Sequence, residues 1–162
     1  ENQKVPCLLD TICKKFVDMN IFSSMYPPNH VLINEYEGSE GILPHTDGPV
    51  YLDRTATISV GGGDVLFNFT KRDFHKKNDA KTDSSSINSD GHNDRCAIQI
   101  QLHGKGSLVV FTGDAYSNHL HSIADRVDSM VECSNEKCVN SKEGEKVFRG
   151  YRLSLTFRHK FH

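Results

Sequence analysis

No apolar run in this sequence comes near the roughly 20 residues that a helix needs to cross a bilayer, so nothing in it reads as a helical membrane span. It also lacks an initial Met and a basic-then-apolar leader; beginning at Glu1, it reads as a fragment from which targeting signals could have been removed. An excess of charge of one sign is missing too. Nineteen Lys and Arg stand against 21 Asp and Glu, a net charge of −2, with a pI near 6.5, whereas many nucleic-acid binders lie above about 9. Contact with nucleic acid would have to come from local basic clusters such as Lys14-Lys15 or the stretch 71–81, unless these are plain solvated surface. The five Cys (7, 13, 96, 133 and 138) are odd in number and irregular in spacing, which excludes a secreted disulfide framework. Cys133 and Cys138 lack the second pair that a structural zinc site needs. Free thiols in a reducing compartment are expected, hence a cytoplasmic or nuclear location and no membrane partner.

A length of 162 residues is one domain, with enough chain to bury a core and too little for two. Val5, Leu8, Leu9, Ile12, Phe16 and Met19 recur at helical spacing, with Pro6 suited to a first turn and Asn20 to an end. After Pro27-Pro28 the pattern changes to short runs of β-branched and aromatic residues. Strands are expected at 31–36, 55–60, 65–69, 97–102, 107–111 and 151–158, with a turn at Gly61-Gly62-Gly63-Asp64. Many short strands with turn signals between them predict a mainly β chain, a sandwich or barrel of the jelly-roll kind. Residues 71–95 are almost wholly polar and are expected to form a mobile surface insertion; 132–146 are expected to form a second polar loop.

One short segment carries chemistry. In Pro44-His45-Thr46-Asp47-Gly48, residues two apart on an extended chain share a face, so His45 and Asp47 can present an imidazole and a carboxylate to one ion. These are two of the three ligands of the 2-His-1-carboxylate triad, which leaves positions on Fe(II) for a co-substrate and O₂. An H-x-D pair alone is weak, because nine His make chance pairs common. A third ligand would come late in the chain: His121 is a candidate, and His119, two positions earlier, serves by the same alternation. His75 and His92 read as surface, and His103, His159 and His162 as structural or tail residues. In the last strand Arg152, Ser154, Thr156 and Arg158 share the face opposite Leu153, Leu155 and Phe157. Two Arg turned into a small barrel are costly unless anions meet them, and a dicarboxylate such as 2-oxoglutarate would supply two. If that face is instead solvated, they are ordinary surface charges.

Taken in order, Asn34-Glu35-Tyr36, His45-x-Asp47, Leu120-His121-Ser122-Ile123 and the Arg152 to Arg158 run R-x-S-L-T-F-R resemble the signature of the AlkB family of Fe(II)- and 2-oxoglutarate-dependent dioxygenases. The likeness runs from about residue 31 to residue 158, and the stretch 28–49 looks most like a eukaryotic member of that family.

The resemblance implies a double-stranded β-helix with the N-terminal helix packed outside, and Fe(II) held by His45, Asp47 and His121. The distal ligand of the family sits in an H-G-I-like context, which favours His121 over His119. It further implies that Arg152, with Asn34 and Tyr36, holds the distal carboxylate of 2-oxoglutarate, while Arg158 faces the metal-chelating end. Ser154 stands where the family commonly has Asn, and the gap from Asp47 to His121 is longer than usual. In the bacterial member a nucleotide-gripping lid comes mainly from sequence before the N-x-Y pair; here only 33 residues precede Asn34, so that part of the domain is expected to be absent. The implied activity is oxidative demethylation of an N-alkylated nucleobase in DNA or RNA by a monomeric enzyme. Two rival readings stay open: the same cofactors acting on a protein side chain, and a nucleic-acid-binding protein with an inactive metal site.

Overall fold

The computed structural model describes residues 6–72, 96–125, 130–132, 138–142 and 144–161. Leu9, Ile12 and Phe16 recur three and four apart, which lines them along one side of helix α1 (Cys7–Asp18). Pro6 precedes the helix, and Asn20 closes it in a left-handed conformation (φ 57°). The N–H of Asn20 bonds to the Val17 carbonyl and that of Ile21 to the Phe16 carbonyl, so the last turn is tied off. Leu8 and Met19 are exposed, so the buried stripe is narrower than the periodicity predicts; Val5 lies outside the described residues.

Two antiparallel four-stranded sheets follow. The first contains β1 (His30–Tyr36), β3 (Tyr51–Gly61), β6 (Leu108–Thr112) and β10 (Arg152–Lys160), in the order β1-β10-β3-β6. The second contains β2 (Ile42–His45), β4 (Val65–Lys71), β5 (Cys96–Leu102) and β7 (His119–Ile123), in the order β2-β7-β4-β5. From β1 to β7 the chain changes sheet after every strand except β4, which is the winding of a double-stranded β-helix. A one-turn helix α2 (Asp114–Ser117) lies between β6 and β7, and β8 (Met130–Glu132) pairs with β9 (Lys146–Phe148) as a separate ribbon. The chain is thus mainly β, a jelly-roll with its helix outside, as the resemblance implies.

Two apolar clusters hold these layers. Between the sheets, Val65, Phe67 and Phe69 of β4 meet Val109 and Phe111 of β6. On the outer side of the first sheet, Phe16 and Phe22 from α1 and its exit pack on Ala56 and Phe157. Phe157 is fully buried and meets the Phe16 ring edge-on, with centroids 5.0 Å apart. The inner face of β10 is polar by contrast: Arg152, Ser154, Thr156 and Arg158 are all buried. Period-two alternation on one central strand therefore puts the helix anchor on one side and the charged wall on the other.

The turn at residues 61–64 stands as expected between β3 and β4. Gly63 passes so close to Gly150 that a Cβ there would lie 2.3 Å from the Gly150 carbonyl oxygen, so only glycine fits. One expectation needs correction. Lys71 is not part of an insertion but the last residue of β4, opposite His119 of β7; the rest of that stretch from residue 73, with His75 and His92, lies outside the described residues. The 132–146 loop is anchored where described. Cys138 bridges Gln99, the Asn140 side chain bonds both the N–H and the carbonyl of Gln101 (2.8 and 2.9 Å), and Ser141 bonds the Gln101 side chain. Its polar residues are partners for the open edge of β5, which explains why polarity there does not mean a free loop.

Because Phe157 joins the helix to the central strand, Phe157→Ala should lower the unfolding free energy by about 3–5 kcal/mol. Urea unfolding followed by circular dichroism measures this, and a loss under about 1 kcal/mol would contradict the packing described.

Candidate metal and anion site

Strand pairing places the two imidazoles. β2 and β7 align with His45 opposite His121, and the rings lie 4.2 Å apart between centroids. The His45 Nδ1 donates to the Leu43 carbonyl (2.8 Å), since a carbonyl can only accept, and this leaves Nε2 with a free lone pair. His121 is buried, with Phe67 stacked on it at 5.6 Å and Phe111 at 5.0 Å. Burial lowers its pKa to about 4; the Asp47 carboxylate opposes this, and His45 and Arg158 add to it. Near neutral pH the ring is therefore unprotonated, the form that binds metals.

Asp47 arrives by a different route from the one the alternation predicts. β2 ends at His45, and Asp47 sits beyond it in the connection to β3. The chain turns through Gly48, whose φ of 87° suits glycine, and the Tyr116 hydroxyl of α2 donates to the Gly48 carbonyl (3.0 Å). Burial, followed by the nearby Asp47 charge, pushes the Tyr116 pKa up to about 12. The Asp47 side chain is only 1% exposed. Arg158 Nη2 donates to its Oδ1 at 2.5 Å, and the Thr55 hydroxyl donates to its Oδ2 at 2.5 Å. The same Oδ1 lies 3.7 Å from His121 Nε2. One ligand atom each from His45, Asp47 and His121 lies within 4.8 Å of the others. Two imidazole nitrogens and one carboxylate oxygen fit a non-haem Fe(II) donor set.

His119 does not join this cluster. It starts β7, where its Nδ1 lies 3.1 Å from the Asp114 carbonyl and 3.4 Å from the Asp114 carboxylate. His103 pairs with Asp64 (2.8 Å) and His159 with the Pro27 carbonyl (2.6 Å), both structural contacts.

The other residues singled out in the sequence line the cavity that reaches the cluster. Across β1, β10 and β3 the register forms rungs: Tyr36 with Arg152, then Asn34 with Ser154 and Ser59, and finally His30 with Arg158 and Thr55. Arg152 is buried, donates to the Ser59 hydroxyl (3.1 and 3.3 Å) and lies 5.4 Å from the Tyr36 ring centroid. Burial pulls its pKa down. Burial raises that of Tyr36, against Arg152 and its hydrogen bonds with Asn34 and Ser154. Among the described residues no carboxylate forms an ion pair with Arg152. Among the described residues the two arginines thus differ: Arg158 is already committed to Asp47, although its Nε is buried without a partner, and Arg152 has no carboxylate paired with it. The residues that sequence reasoning missed are Thr55, Ser59 and Tyr116. The alternation of Thr55, Thr57 and Ser59 along β3 was a signal for the first two; nothing local marks Tyr116.

No protein-family model matches the chain. A Danio rerio protein described as "Probable RNA/DNA demethylase ALKBH6" is 30% identical over 159 residues, covering 97% of this chain. The chain is related to the AlkB family. It spans 63% of the length of that AlkB relative.

The Arg158–Asp47 pair gives a direct test of this geometry. Removing one member of a buried pair strands the other charge, so Arg158→Met should destabilise the protein in chelator-treated buffer by about 3–5 kcal/mol. Chemical denaturation checks it; an unchanged midpoint would mean that the pair is not buried.

Proposed function

We propose that this chain is the catalytic core of an Fe(II)- and 2-oxoglutarate-dependent dioxygenase that removes an N-alkyl group from a nucleobase. The observation that carries the reading is a single cavity lined both by His45 and His121 of the metal cluster and by Arg152, a buried cation with no ion-paired carboxylate among the described residues. His45, Asp47 and His121 would hold the iron. Arg152, with Asn34, Tyr36 and Ser154 around it, would hold the distal carboxylate of 2-oxoglutarate, and Arg158 stands at the metal end. When bound, iron, 2-oxoglutarate and O₂ supply the oxidation that turns an N-methyl group into an unstable hydroxymethyl group, which leaves as formaldehyde, with succinate and CO₂ as co-products.

The protein's own contribution is positional. Phe67 and Phe111 pack on His121 and keep water from its buried side. Hydrogen bonds at both oxygens hold the Asp47 carboxylate, and strand register sets the two ends of the co-substrate site. A nucleic-acid substrate is supported by the likeness to the Danio rerio protein described as a probable RNA/DNA demethylase. The net charge of −2 suits only a few phosphate contacts, and Lys14, in one of the basic clusters, is paired with Asp10 (2.7 Å).

The experiment is 2-oxoglutarate consumption and formaldehyde release with Fe(II), run with methylated and unmethylated oligonucleotides. Turnover stimulated by the methylated strand is expected; no consumption with any substrate would sink the reading. Losing a charged partner in a buried site costs about 2–5 kcal/mol, so Arg152→Ala should weaken 2-oxoglutarate binding roughly 30- to 5,000-fold while leaving metal binding nearly unchanged. Arg152→Lys keeps the charge without the planar fork and should recover part of the loss. Wild-type co-substrate affinity in Arg152→Ala would contradict its assignment.

A further inference from the structure

We propose that Thr55 is a positioning residue for the metal centre: its hydroxyl, bonded to Asp47 Oδ2, makes Asp47 a one-oxygen ligand and keeps the remaining metal positions open. The inference rests on the metal-site reading above. Thr55 and Arg158 are direct partners across the β3–β10 pair, and both donate to the same carboxylate. Their targets differ. Arg158 takes Oδ1, the oxygen 3.7 Å from His121 Nε2, whereas Thr55 takes Oδ2.

A carboxylate can bind a metal through one oxygen or both, and the second mode would use a position that the triad leaves for co-substrate or O₂. Rotation of the Asp47 carboxyl toward the second mode would break the Thr55 bond. Thr55 is itself 1% exposed and Asp47 is equally enclosed, so no bulk water replaces the lost donor. Partners behind ligands commonly change metal affinity 10- to 100-fold, the size of effect expected here. Valine has the shape of threonine without the hydroxyl and suits a strand, so the substitution isolates the hydrogen bond.

The test is Co²⁺ titration of the full chain, following affinity and the visible absorption of the bound ion. Thr55→Val should weaken Co²⁺ binding about 10-fold and shift the absorption toward a higher coordination number, and Thr55→Ser should restore both. A merely structural role would leave the absorption unchanged. If Thr55→Val proves unfolded by circular dichroism, Thr55→Cys, a poorer donor, takes the same test. In whichever variant is used, a loss under about threefold with a wild-type spectrum overturns the inference on Thr55 alone. Failure of the unaltered chain to bind Co²⁺ overturns the metal-site reading along with it.

Discussion

A buried carboxylate between two sheets is the constraint around which this barrel is organised. Asp47 follows a strand of the second sheet, and its partners Arg158 and Thr55 belong to the first. Removing both charges from water is costly, and their attraction offsets that cost only when the remaining hydrogen-bonding capacity is also used. Thr55 uses the second oxygen of Asp47, while the Nε of Arg158 stays buried without a partner among the described residues. Elsewhere between the sheets the contact is dry, through Phe67, Phe69 and Phe111. The sheets are therefore held both by apolar packing and by an ion pair, and residues of both kinds line the cavity.

This division also explains how one strand serves two purposes. β10 has paired neighbours on both edges, and its side chains alternate between the helix-facing core and the cavity. Phe157 secures the helix from one face while Thr156 and Arg158, one residue to either side, look the other way. The outer face can hold the strand in place without any outer residue touching the site. Rigid support of this kind lets long arginine side chains keep a defined direction.

Much of this was legible in the sequence where a pattern was local. The alternation of Arg152 to Arg158 with Leu153, Leu155 and Phe157 identified both the strand and its polar face, and helical spacing located α1. The short strands were harder. β2 is four residues long and contains Pro44, and β7 is five residues with two His, so neither shows the β-branched run that marks a strand. Alternation suggested that His45 and Asp47 share a strand face; the structure brings them together by ending the strand and turning at Gly48. It also could not separate His119 from His121, because residues two apart share a face; their neighbours separate them, Asp114 for one and Asp47 for the other. Tyr116 was invisible because its contact with Gly48 spans 68 residues, and no local rule reports such a distance.

Arg152 and Arg158 show why residue type alone does not assign a role. They lie on the same face of the same strand, line the same cavity and are both buried. Arg158 meets a carboxylate from the chain itself, so its charge is balanced before any ligand arrives. Arg152 meets a serine hydroxyl and the face of Tyr36, which solvate a cation without neutralising it. An anion entering the cavity therefore gains more from Arg152, where it supplies a missing charge, than from Arg158, where it must share one with Asp47. A diacid would be oriented by that difference: one end is drawn to the unbalanced cation, which leaves the other directed at the metal cluster. The asymmetry comes from Asp47, so the residue that would bind the metal would also decide which arginine anchors such a diacid.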